Sequence, residues 1–195
     1  MSSLDEKPRP GRRRDPACDE AILDAALAAL VDDGYRRMSI EGVAARAGVG
    51  KATIYRRYPS KAKLVVDAVR HRLHLVELLP DTGNLRADLL AMLEPLVDRL
   101  RGHDGPILVA FMTERLREPE LAAEYDRSVI GRKRIHMRKL ITDAVERGDL
   151  RPDTDVDLLA ETAPALVWHH VLNNHPVGPD LATRIVDQIL PQPQP

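Results

Sequence analysis

Apolar residues recur at three- and four-residue intervals along most of the chain and nowhere alternate with polar ones over the length of a strand, which commits the backbone to helices. Ile22, Ala25, Ala26, Ala29 and Leu30 form the first such stripe; Leu64, Val65, Ala68, Val69, Leu73 and Val76 form another. Each helix buries one stripe, so the stripes must face one another across a shared core. Composition says what fills it. Of 195 residues 44% are apolar but only 3% aromatic, with one Phe and one Trp, leaving Ala, Leu, Val and Ile to pack helices closely. The expected fold class is all-α, with about nine helices.

Proline, glycine and capping residues set the divisions. Asp15 and Pro16 suit the N-cap and first turn of a helix that runs to Gly34. Ser39 caps a short second helix with Val43, Ala44 and Ala47 on its inner face, and Glu41 lies where the helix dipole favours an acid. Gly48, Val49 and Gly50 make a tight turn before a third helix, expected from about Lys51 to Tyr58 and stopped by Pro59. Ser60 caps a longer helix ending near Pro80 and Gly83, and further helices are expected over 84–101, 106–117, 119–147, 154–175 and 179–190. Pro95 and Pro164 are expected to kink two of them. Residues 1–14 and 191–195 carry too little apolar surface to offset the entropy of ordering, and read as a flexible basic arm and a flexible tail.

The charge total, 29 basic against 30 acidic residues, conceals an asymmetry. Residues 1–75 hold 15 Lys and Arg against 10 Asp and Glu, a net of +5, leaving 14 against 20, a net of −6, for the rest. A basic head on an acidic body points to a polyanion partner for the head alone. The single Cys18 cannot form an intrachain disulfide, the N-terminus has no apolar signal region and the apolar runs are too short to span a bilayer, so a cytoplasmic location is expected. No nucleophile with a paired base, phosphate loop or metal constellation stands out; neither an enzyme nor a cofactor is expected.

A helix-turn-helix needs two short helices, a tight turn and an apolar interior, so that the second helix can present its first residues to the major groove. Residues 39–58 meet those demands, with Val43, Ala44, Val49 and Ile54 facing inward. Lys51, Ala52, Thr53, Tyr55, Arg56 and Arg57 are left for the outer surface. The run from Val49 to Lys61 closely resembles the recognition helix and following turn of TetR-type repressors, and the run from Ile40 to Gly48 resembles the helix before it.

The resemblance covers roughly residues 17–65 and implies a DNA-binding domain of three N-terminal helices (15–60), followed by a helical ligand-binding and dimerisation domain (61–190). It places Ser39, Tyr55, Tyr58 and Lys61 at backbone phosphates, and Lys51, Ala52 and Thr53 at the groove floor, Lys51 being equally suited to a phosphate. Arg57 stands where the family usually has His or Tyr, and Tyr58 where Phe is usual; the added guanidinium and phenol offer further phosphate partners. Arg12, Arg13 and Arg14 precede the first helix, where a basic arm can follow the minor groove or the phosphates.

For the body, the resemblance implies a cavity for a small-molecule effector and dimerisation through the last two long helices. Met92, Phe111, Met112, Trp168 and His169 are the unusual side chains available to line a cavity, although each also suits simple core filling. His169, His170 and His175 invite a metal reading, but adjacent helical residues point about 100° apart and no fitting carboxylate or thiol accompanies them; an interface role suits them better. Val167, His170, Val171, Leu172, Ile185 and Ile189 are the expected dimer contacts. The basic run from Arg132 to Lys139 reads as a solvated helix face.

The expected function is that of a homodimer binding a palindromic DNA operator, most simply as a repressor that a small molecule releases. Two alternatives remain at this point: a helical interaction protein whose basic head binds a protein partner, and an enzyme tethered to DNA by its head.

Overall fold

A computed structural model describes residues 16–75 and 80–190. The basic arm with Arg12, Arg13 and Arg14, the Asp15 cap, Val76 and the 191–195 tail lie outside the described residues.

The described chain is helical throughout, with no strand among the described residues. Helix α1 (Pro16–Arg37) passes the point where Gly34 was expected to end it. Gly34 takes φ 74° and ψ 160°, bending the chain and leaving one more turn that carries Tyr35, Arg36 and Arg37. Helix α2 (Ile40–Ala47) is capped by Ser39, and Gly48 closes it at φ 67°, a conformation that costs glycine little. Helix α3 is shorter than expected, Lys51–Tyr55. Helix α4 (Lys61–Leu73) also stops early, because His74 adopts a left-handed φ of 48° and its N–H closes onto Arg70.

The body contains α5 (Leu85–Arg101), α6 (Gly105–Arg117), α7 (Pro119–Tyr125), α8 (Gly131–Glu146), α9 (Val156–Leu172) and α10 (Leu181–Ile189). A π-helical turn, Asp126–Ile130, joins α7 to α8, so the single helix expected over 119–147 is one rod containing a wide turn. Pro95 and Pro164 lie inside α5 and α9 without interrupting either.

Two apolar cores hold these helices. One unites the inner faces of α1 to α4 with Leu108 and Phe111 of α6, Leu121 and Tyr125 of α7, and Val129. The other joins α5, α8, α9 and α10 around Leu89, Leu93, Ile141, Ala163, Val167 and Val186. Leu96 and Leu100 of α5 pack against both. The line drawn at residue 60 therefore differs from the division of the packing: α4, α6 and α7 share their core with the first three helices. Ion pairs reinforce that junction, Arg36 with Glu118 at 2.9 Å and Arg72 with Asp104 at 2.9 Å.

Candidate nucleic-acid interface

The helix-turn-helix is assembled by local caps and then locked against α1. Ser39 Oγ accepts the Gly42 N–H at 3.0 Å, while the Gly48 and Val49 N–H groups donate to Ala45 at 3.3 Å and Ala44 at 3.0 Å. These bonds fix the turn into α3. Val43 and Ile54 are fully buried, Ala44 is buried and Val49 packs against the same core. Arg46 of α2 reaches Asp32 at 2.6 Å and Asp33 at 3.2 Å on α1, holding the first helix of the motif across the scaffold.

With Ile54 as its anchor, α3 presents Lys51, Ala52, Tyr55 and the adjoining Arg56 to solvent, with Thr53 half-buried beside them. Lys51 Nζ lies 5.5 Å from the centre of the Tyr55 ring and is ion-paired with Glu41. That pairing holds the Glu41 carboxyl below its ordinary range, through the hydrogen bond first, and raises the Lys51 ammonium. Glu41 was not singled out as a partner in the sequence. It stands ten residues from Lys51, outside any helical pairing rule, and only the tight turn brings them together.

Three expected contacts turn inward instead. Arg57 is 16% exposed in its side chain, and its Nη1 contacts Asp19 Oδ1 and Cys18 Sγ, each at 2.9 Å, on the first turn of α1. Tyr58 is buried in the head core at 8% exposure, and burial, followed by the nearby Asp19, pushes its phenol up to about 12. Lys61 Nζ donates to the Tyr35 carbonyl at 2.8 Å and the Met38 carbonyl at 3.4 Å, and sits 4.3 Å from the Tyr35 ring centre. The cause is their position relative to Ile54. The Arg57 and Tyr58 N–H groups both donate to Ile54, at 2.9 and 2.8 Å, which sets Tyr58 one turn above the buried Ile54 and on the same inner face. Ser39 remains exposed; its oxygen serves as a cap while its hydroxyl proton stays available to an acceptor outside the motif.

The body candidates are divided between the two cores and the surface. Phe111 is fully buried in the first core, edge-on to Tyr125 at 5.0 Å, with Met112 and Trp168 packed against that core. Met92 packs against the second core, and His169 is exposed. A groove of about 600 Å³ lies between the ends of α1 and α6, but Asp32, Asp33, Arg36, Arg37, Glu114 and Arg117 line it, a charged wall unlike the apolar set expected.

Two of the dimer candidates, Val167 and Ile185, need a similar correction. Val167 and Ile185 are buried in the chain's own second core, with His170, Val171 and Ile189 half-buried; Leu172 is 63% exposed. Helix α9 is apolar around most of its circumference, so its sequence does not reveal which side faces inward. Packing shows Ala160, Ala163 and Val167 inside and Leu158, Ala165, Leu166 and Leu172 outside. The three histidine rings do gather, with centroids 5.5 to 6.5 Å apart, because His175 folds back to donate its N–H to His170 at 2.8 Å. No group of His, Cys, Asp and Glu among the described residues is arranged to hold a metal ion. Among the described residues, no helix is long and apolar enough to cross a membrane.

A capped helix-turn-helix with an outward cationic and aromatic face, carried on an all-helical body, defines a DNA-binding regulator. Residues 22–68 match the family model of bacterial regulatory proteins of the tetR family, and residues 79–189 match the tetracyclin repressor-like C-terminal domain. The chain belongs to the TetR family of transcriptional regulators. It is 32% identical over 170 residues to an HTH-type transcriptional regulator of Mycobacterium tuberculosis, covering 87% of this chain and 84% of that one. A DNA-binding transcriptional repressor TetR of Mycobacteroides abscessus is 31% identical over 179 residues, covering 87% and 90%. Among solved structures, a TetR family transcription regulator superposes with a TM-score of 0.62 at 30% identity, covering 89% of this chain and 99% of that one.

Proposed function

We propose that this regulator is a homodimeric repressor that reads a palindromic DNA operator with two copies of α3, set about 34 to 36 Å apart to enter successive major grooves. The observation that carries the reading is the outer face of α3, where Lys51, Ala52, Tyr55 and Arg56 stand exposed beside Thr53 on the buried Ile54. Lys51 exchanges its Glu41 partner for phosphate or a base edge on docking. Tyr55 and Ser39 offer hydroxyls to the backbone, and Thr53 and Ala52 meet the groove floor. In trans, occupancy of the operator blocks the promoter.

A small-molecule effector enters the body at the seam between the cores, where Leu96 and Leu100 pack against both; Met112 and Trp168 pack against the first core and Met92 against the second. Opening that seam tilts the first core, which carries the head, against the second, and so changes the spacing of the two recognition helices. A coupling of about 1 to 3 kcal/mol corresponds to a 5- to 150-fold loss of operator affinity.

Selection from random duplex DNA, run on the unsubstituted chain and on a folded Thr53→Ala, Tyr55→Ala variant, tests the central statement. Enrichment of a palindrome by the former alone supports it. A folded dimer that enriches nothing sinks it and favours a protein partner for the basic head.

A further inference from the structure

The groove of about 600 Å³ between the ends of α1 and α6 has the volume of a small-molecule site and shares no lining residue with the seam between the cores. Part of its charge is already committed. Arg36 pairs with Glu118 at 2.9 Å, and Asp32 and Asp33 hold Arg46 at 2.6 and 3.2 Å. Three groups remain. The half-buried Glu114 carboxylate and the exposed Arg117 guanidinium, both on α6, have no hydrogen-bond or ion-pair partner among the described residues. On the facing wall, Arg37 donates its Nε–H to the Asp33 carbonyl at 2.8 Å, which leaves both of its Nη groups unused. Gly34, at φ 74°, keeps the floor between the walls bare, and Glu114 Oε1 lies only 3.7 Å from where a β-carbon would stand there.

Glu114 and Arg117 are three residues apart, so they are neighbours on one face of α6, with β-carbons about 5 to 6 Å apart. A bare anion that approaches Arg117 meets Glu114, and a bare cation that approaches Glu114 meets two guanidinia. A ligand that satisfies all three groups carries both signs close together. In an α-amino acid the ammonium nitrogen and the carboxylate carbon share one carbon and lie about 2.5 Å apart. Hydrogen bonds of about 3 Å on either side then reach the two α6 side chains. The carboxylate has an oxygen for each guanidinium. Val31, 55% exposed, supplies the apolar part of the wall.

We propose that this groove binds a free α-amino acid with an apolar side chain. Glu114 accepts from its ammonium, Arg117 and Arg37 donate to its carboxylate, and its side chain rests on Val31. The site stands apart from the operator reading and from an effector at the seam, and depends on neither. It also adjoins the head, because Arg37 belongs to the turn after Gly34, and the neighbouring Asp32 and Asp33 hold α2 through Arg46. Occupancy ties that end of α1 to α6.

The test is equilibrium dialysis of the full chain against labelled L-valine, L-leucine, L-isoleucine, L-methionine and L-phenylalanine, each taken to millimolar concentration. At least one of them is expected to bind once per chain. Its methyl ester, which lacks the anionic carboxylate, and its N-acetyl derivative, which lacks the ammonium, should each bind about 5- to 30-fold more weakly, the range for a charge-assisted contact at a half-exposed site. Glu114→Gln and Arg117→Gln should weaken the unmodified amino acid by a similar factor while the unfolding midpoint stays in place, since neither side chain has a partner to lose among the described residues. Binding that survives both substitutions, or derivatives that bind as well as the parent, puts the ligand elsewhere and overturns the proposal. Failure of all five amino acids to bind overturns it outright.

Discussion

Lys51, Tyr55 and Arg56 are followed within a few residues by Arg57, Tyr58 and Lys61, two sets with the same three side-chain types. The first set faces solvent, with Tyr55 47% exposed; the second is drawn into the head, where it ties α3 and α4 to α1. What separates them is position relative to the buried Ile54: Tyr58 stands one turn after it, with its N–H bonded to the Ile54 carbonyl, and lies on the inner face. Residue type alone does not decide the surroundings of a side chain: the Lys61 ammonium is committed to two backbone carbonyls and a buried ring, whereas that of Lys51 stands at the surface, paired with an exposed carboxylate and resting near an exposed ring.

Truncating the inner set should break the head before it touches DNA recognition directly. The largest effect is expected of Tyr58→Ala, which empties a buried aromatic site at a cost of about 3 to 5 kcal/mol, measurable by chemical denaturation. Tyr58→Phe keeps the packing and should leave operator affinity unchanged; a tenfold loss in the Phe variant would return Tyr58 to the DNA surface.

Next in size is the outer set. Thr53→Ala and Tyr55→Ala should each weaken operator binding by about 1 to 3 kcal/mol in a fluorescence titration, while the unfolding midpoint barely moves. A matching fall in stability would erase the contrast between the two sets. Lys61→Met should then cost about 1 to 2 kcal/mol of stability through loss of the charged donor to Tyr35 and Met38, with little change in the salt slope of DNA binding.

The smallest effect is expected from Glu41→Gln. It releases Lys51 from its exposed partner, and nonspecific DNA affinity should rise about two- to fivefold at low salt.

The phenols add a condition-dependent check. Tyr58 and Tyr35 are both pushed up to about 12, Tyr58 by burial then Asp19, and Tyr35 by burial then Glu120 and Glu118. A raised phenol stabilises the fold fully below its ordinary value near 10, and that contribution is lost as pH rises through the folded value. Stability should therefore decline between about pH 10 and pH 12, and Tyr58→Phe should make the decline shallower in an alkaline unfolding curve.

Most helices were legible in the sequence because their signals are local. Ser39 and Ser60 act as caps, Gly48 as a left-handed stop, and the spacing of Val43, Ala44 and Ile54 as the inside of the motif. The helices expected over 84–101 and 106–117 differ from α5 and α6 by one residue at their starts. Boundaries failed where a backbone conformation outside the helical region decides them, as at Gly34 and His74. In the candidate DNA site, Lys51, Ala52, Tyr55 and Arg56 have the outward exposure expected of them while Arg57, Tyr58 and Lys61 turn inward, because family spacing assigns positions without showing which contacts each side chain makes within the chain.

By itself, then, the sequence determined the helical class, the helix-turn-helix and the residues its turn requires, since caps, glycines and apolar periods act within a few residues of one another. Only the tertiary structure decided which cations and phenols are exposed, that Glu41 meets Lys51, that α6 and α7 share the head's core, and which side of the apolar α9 faces outward. Those outcomes depend on contacts between residues far apart in the chain, and a helix apolar on most sides carries no local mark of the face its neighbours will cover.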